Sequence, residues 1–192
     1  MNAIEQELSQ IPHFQYIHPQ LFTSAQPSPE QLTQIKAYGV DTVLNLAIHQ
    51  DAPEFEHQDQ YCLEIGLNYL QIPLDWAQPP AEQCLFVLDL ISHFVKDKVV
   101  WVYCNNNKRV SSLMYLYRQY YMGIDLVTAQ QQLHQIWEPD NTWTGLIHGV
   151  GLLLQGRRST EELEQALQQS QDQDQDQDQD QDQDQDQDQD GQ

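Results

Sequence analysis

Short runs of strand-like residues alternate along this chain with longer stretches in which apolar residues return every three or four positions. Residues 14–17 and 21–24 predict short edge strands. Ser28-Pro29-Glu30-Gln31 predicts a helix start, with Ser28 as N-cap, Pro29 in the first turn and Gln31 closing a capping box. That helix runs to about Tyr38 and stops at Gly39, a natural C-cap. Residues 40–47 (VDTVLNLA) are rich in β-branched side chains and predict a buried strand. The loop 49–53 leads into a predicted helix from Glu54 to about Ile65, which Gly66 ends. Residues 68–74 (NYLQIPL) predict the next strand.

Pro79-Pro80 opens a helix on which Leu85, Leu88, Ile91 and Val95 share a face. Residues 99–103 (VVWVY) are apolar throughout, the pattern of a central strand covered on both sides. Beyond Cys104 four helices are predicted, at about 109–121, 125–136, 141–155 and 159–169. Strands alternating with helices, followed by a helical C-terminal part, give an α/β fold: a mainly parallel central sheet flanked by helices. Ligands of such sheets bind beyond the carboxyl ends of the strands, and Cys104 sits at the end of the most apolar one.

The last stretch changes the picture. Residues 171–190 are ten Gln-Asp pairs with nothing to bury, so a folded domain over 1–169 and a disordered tail over 170–192 are expected. The formal charge is -21, and ten of the negatives lie in this repeat, leaving -11 elsewhere. So acidic a chain repels nucleic acid and anionic lipid, and neither is expected as a partner. Among only eight Lys and Arg residues, Lys108 and Arg109 stand side by side just after a cysteine. That local positive spot needs a reason.

Cys62, Cys84 and Cys104 are widely spaced and form no CxxC pair, which suggests neither a zinc site nor a disulfide framework. The seven histidines show no metal-ligand spacing, and no metal or organic cofactor is expected. The first residues lack the basic and apolar regions of a secretory signal, and 145–156 is too short to span a bilayer. A cytoplasmic protein with reduced thiols is the expectation.

The chemistry concentrates in YCNNNKRVSS, residues 103–112: strand, polar loop, helix. Backbone N–H groups of a tight loop, continued by a helix N-terminus, form an anion cradle. The same field favours a thiolate at Cys104. Arg109 has the fork that grips two oxygens at once, and Asn105, Asn106, Asn107 and Lys108 line the loop as candidate substrate-binding residues. Ser111 or Ser112 is placed to donate to the thiolate or to serve in breakdown of an intermediate. Asparagine tolerates left-handed backbone, so a loop without glycine remains feasible. Each residue also has a plainer reading: Cys104 as a small buried hydrophobe, Arg109 as a structural ion-pair member and Lys108 as a solvated cation. Asp75 has one as well, capping the turn before Pro80.

Four pieces in this order resemble the protein tyrosine and dual-specificity phosphatase superfamily, in a divergent bacterial branch: residues 22–47, 68–76, 99–112 and 136–143. The resemblance implies a hydrolase acting on phosphomonoesters through a phosphocysteine intermediate, with a phosphorylated small molecule or phosphoprotein as substrate. Cys104 would be the nucleophile, Arg109 the phosphate clamp and Asp75 the general acid. The loop departs from the family's pattern: it is C-x4-R where C-x5-R is usual, Tyr103 replaces a histidine, and the hydroxyl stands two positions after the arginine. Two alternatives therefore stay open, a non-catalytic phosphate-binding pseudophosphatase and a rhodanese-like sulfurtransferase, whose loop shares the C-x4-R length. Cys62 and Cys84 read as packing residues. His49 and His57 flank a loop that borders the site, and Trp76, Trp137 and Trp143 read as closing the core around it, with Trp76 also suited to walling a substrate pocket.

Overall fold

The computed structural model describes the backbone of residues 3–48 and 57–187, with side chains for 5–48 and 57–169. His49 and the predicted helix start at Glu54 lie outside these. The chain divides into two compact units, Met1–Gly151 and Leu152–Gln192.

In the first unit a five-stranded sheet has the order β1-β2-β5-β3-β4: β1 (Gln15–His18), β2 (Leu21–Ser24), β3 (Thr42–Asn45), β4 (Asn68–Gln71) and β5 (Val100–Tyr103). Only β1 runs antiparallel to its neighbour; β2, β3, β4 and β5 are parallel. The apolar run at β5 lies at the centre, as its pattern predicts. The second expected edge strand is a correction. β2 is interior, paired with both β1 and β5, and every residue of it is buried. Four residues ending in Thr-Ser look too polar for that, but Ser24 accepts from the indole N–H of Trp101 at 2.9 Å. The polar group is satisfied in place, which removes the cost of burying it.

The helices are α1 (Ala3–Leu8), α2 (Pro29–Tyr38), α3 (Gln58–Glu64), α4 (Ala81–Phe94), α5 (Lys108–Tyr120), α6 (Leu126–His134) and α7 (Asn141–Gln187). α2 has the expected capping box, and Gly39 ends it in left-handed conformation at φ 106°. Phe22, Val43, Trp101 and Tyr103 form one core with Leu8, Leu32, Ile35 and Cys62 from α1, α2 and α3. Strand alternation turns Leu21, Leu44, Val100 and Val102 to the opposite face of the sheet, and Leu88 and Ile91 of α4 and Val110 and Met114 of α5 are buried too.

The helices predicted separately at 141–155 and 159–169 are one continuous helix. Gly156 does not break it, and no proline or further glycine follows before Gly191. Its backbone runs on as helix to Gln187, across a repeat expected to be disordered, and the side chains there lie outside those described. Among the described residues no helix is long and apolar enough to cross a membrane.

What positions the site is the register. Ser24 and Asn45 both lie opposite Tyr103, so β2, β3 and β5 end in one row and Cys104 leaves the sheet from the middle of it.

Candidate active site

Between β5 and α5 the chain turns in four residues. Asn107 makes the turn possible by taking left-handed backbone at φ 58°, ψ 5°, where the usual solution is glycine. Its carbonyl receives the first α5 hydrogen bond, from Ser111 N–H at 2.8 Å. The result is a cavity of about 350 Å³ lined by Trp76, Cys104, Asn105, Asn106, Lys108 and Arg109. Five of those six are consecutive or nearly so in the loop, and the sixth arrives from the segment after β4.

Cys104 lies at the floor, 1% exposed. Burial pushes its thiol above the ordinary value, and three backbone N–H groups, of Val110, Arg109 and Asn106, together with the Arg109 charge, pull the other way. Burial is the larger influence. The cradle is nonetheless assembled around the sulfur, because the groups that oppose burial are those a bound oxyanion would use. Arg109 is 5% exposed and donates from Nη1 to Asn105 Oδ1 at 3.3 Å.

The cations sit against an aromatic wall. The guanidinium of Arg109 lies 5.6 Å from the Trp76 ring centroid, and Lys108 Nζ lies 5.3 Å from that of Trp137. Trp76 contacts Trp137 and Trp143 at 5.3 and 5.2 Å between ring centroids, and Trp143 donates its indole N–H to Trp76 O at 3.1 Å. This cluster fixes the wall and holds two positive charges over ring faces without neutralising them.

The other expected site residues fall elsewhere. Asp75 is exposed, and its Oδ1 accepts from Ala77 and Gln78 N–H at 2.7 Å each, which is the turn-capping arrangement. It neighbours Trp76 in sequence but is not among the residues lining the cavity. Asn107 is fully buried, with its amide turned away from the cavity to His13 O and Thr23 Oγ1. Ser111 and Ser112 are buried on α5 and both hydroxyls donate back to Lys108 O, at 3.1 and 3.0 Å. Two loop contacts have no sequence signal. The carbonyl of Asn105 accepts from Gln26 N–H at 3.2 Å, and that of Asn106 meets His13 Nδ1 at 2.8 Å. Among the described residues no group of His, Cys, Asp and Glu is arranged to hold a metal ion.

Among solved structures, a DUF442 protein of Shewanella putrefaciens CN-32, assigned as a candidate phosphatase, is similar to this chain with a TM-score of 0.68. It is 25% identical, over 78% of this chain and 97% of its own. TpbA of P. aeruginosa is 17% identical with a TM-score of 0.58, over 74% of this chain and 91% of its own. The core catalytic domain of the PP-IP phosphatase SIW14 from S. cerevisiae, in complex with citrate, is 16% identical with a TM-score of 0.59, over 72% and 85%. The chain has the fold of the protein tyrosine and dual-specificity phosphatase superfamily. No protein-family model and no curated protein matches its sequence. Cys104 directly follows the central strand, and Arg109 lies in the first turn of the helix after it.

Proposed function

We propose that this protein is a cysteine-dependent phosphatase that hydrolyses phosphomonoesters through a phosphocysteine intermediate. The observation that carries the reading is one cavity in which Cys104 meets the backbone N–H groups of Asn106, Arg109 and Val110, with the Arg109 side chain lining it as well. The Cys104 thiol gives up its proton to solvent, and the thiolate attacks phosphorus as the ester P–O bond breaks; the backbone amides and the Arg109 fork hold the equatorial oxygens as charge develops. Water then attacks phosphorus, its proton passing to the Asp75 carboxylate, as the S–P bond breaks and phosphate and the Cys104 thiolate are released. Asp75 supplies the leaving-group proton: its Oδ1 is committed to the turn, so the proton travels on Oδ2. An incoming dianion stays beside a thiolate only because Lys108 and Arg109 offset both charges. The substrate is a phosphorylated small molecule or a phosphoprotein; one similar fold is bound to pTyr and another is a PP-IP phosphatase.

Two observations favour a second reading. Burial holds the Cys104 thiol above its ordinary value, and among the described residues no carboxylate lines the cavity. A cradle that binds phosphate without turning it over, a pseudophosphatase, fits both facts. Sulfur transfer also fits the second, since sulfite leaves without a proton.

Turnover of p-nitrophenyl phosphate and of thiosulfate by purified protein, with Cys104→Ser as control, separates the three. Phosphate release that disappears in Cys104→Ser is the expected result. Thiosulfate activity alone assigns the loop to sulfur transfer, and silence in both with phosphate binding retained assigns it to a binding module.

A further inference from the structure

An anion cradle works only if its carbonyls point outward, because each peptide unit that turns an N–H toward the ligand turns a C=O away. In most such loops glycine supplies the freedom and the loop's own geometry does the rest. This loop contains no glycine. Its carbonyls are instead held from outside by the segment that precedes β1 and by the one that follows β2. Gln26 N–H holds Asn105 O at 3.2 Å, and His13 Nδ1 holds Asn106 O at 2.8 Å. Asn107 closes the circle, donating its Nδ2 to the carbonyl of that same His13 at 2.7 Å and to Thr23 Oγ1 at 3.2 Å. Both His13 and Asn107 adopt positive φ, 56° and 58°. Two non-glycine residues in left-handed backbone, joined to each other across 94 positions of sequence, cost conformational energy that needs compensation.

Burial sharpens the point. Asn107 is fully buried, and its Oδ1 has no hydrogen-bond partner. A purely structural optimum would replace it with glycine, which takes the same φ at no steric cost and leaves no orphaned oxygen. What glycine cannot supply is the Nδ2 donor that ties the loop to His13.

We infer that His13 and Asn107 are positioning residues of the cradle: a reciprocal clamp, His13 ring to Asn106 O and Asn107 amide to His13 O, that fixes the peptide unit between Asn106 and Asn107 and so the turn that carries the loop from Cys104 into α5. The clamp rests on the phosphate-binding reading for its purpose, but its existence is testable without turnover.

The test uses His13→Ala, His13→Asn and Asn107→Gly in the full chain, with two readouts. Orthophosphate affinity by calorimetry is expected to fall about tenfold in His13→Ala and in Asn107→Gly, the loss of one well-aligned hydrogen bond. His13→Asn, which tolerates the same backbone and keeps an N–H donor, is expected to recover most of it. Backbone amide exchange over residues 104–110, measured without phosphate, is expected to quicken in the first two variants and to return towards wild type in the third. Affinity and exchange unchanged in His13→Ala, or full affinity in Asn107→Gly, would overturn the clamp. Wild-type protein that does not bind phosphate would sink the phosphatase reading instead, with the exchange arm still deciding the clamp.

Discussion

At Cys104 two opposed influences meet in one atom. Burial raises the thiol above its ordinary value, while loop amides and Arg109 lower it, and burial is the larger. In the free protein, iodoacetamide alkylation of Cys104 should therefore rise with pH around a midpoint above the ~8.5 of an unperturbed thiol. A midpoint below that value would mean the cradle outweighs burial. The neighbouring cation gives a second expectation. Arg109→Lys keeps the charge but loses the fork, so phosphate affinity should fall by about 1.5–3 kcal/mol, read by calorimetry; an unchanged affinity would reduce Arg109 to a point charge. Cys104, Lys108 and Arg109 were legible in the sequence as candidates because they lie close together along the chain, and a basic pair soon after a cysteine stands out in so acidic a chain. His13 was not legible, since its partner lies 93 residues away and no periodicity links the two. Asn107 was legible as a residue able to turn the loop, whereas its amide's direction depends on where His13 folds.

Elements were read best where their ends carry chemistry. The Ser28 capping box and the Gly39 stop gave α2 to within a residue, and Ser28→Ala should cost about 1 kcal/mol in urea unfolding, since the Gln31 N–H then loses its acceptor. β2 was misplaced as an edge because nothing in four residues announces that Trp101 will satisfy Ser24. A less visible feature lies on α5. Arg118 is 4% exposed, its Nη1 has no partner, and Nη2 donates to Gln15 Oε1 on β1 at 3.3 Å. Gln15 in turn donates to Gln132 O on α6 at 2.9 Å, so one polar chain joins β1, α5 and α6. Burial lowers the Arg118 value to about 10, which still leaves it charged at neutral pH. Gln15→Leu removes the acceptor from a buried charge and should destabilise by about 1.5–3 kcal/mol. Adding Arg118→Met to it should recover most of that loss. A double variant as unstable as Gln15→Leu alone would show that the cost comes from packing.

Over the whole molecule, the three cysteines that the sequence scatters at wide spacing share one property once folded: all are buried and all titrate high. Burial pushes Cys62 up to about 11, with the Asp59 charge adding to it, and Cys84 up to about 12, and it raises Cys104 as well. The unfolded chain releases these protons near the ordinary thiol value of ~8.5, whereas the folded chain still holds them. Between that value and about 11 the folded state therefore binds more protons than the unfolded one, and stability must fall as pH rises. Each buried thiol contributes up to about 1.4 kcal/mol per pH unit in that window and nothing below it. Tyr69, Tyr103 and Tyr117 are raised by burial as well, so they steepen the same decline from about pH 10 upward. Urea midpoints should accordingly be level between about pH 7 and 8 and drop steeply by pH 10. Cys84→Ala removes one titrating group from the helical core and should flatten the drop by about one proton's worth, at the price of a small packing loss that is the same at every pH. An alkaline slope unchanged in Cys84→Ala would mean that burial of this thiol is incomplete in solution, and that tyrosine ionisation alone unfolds the domain.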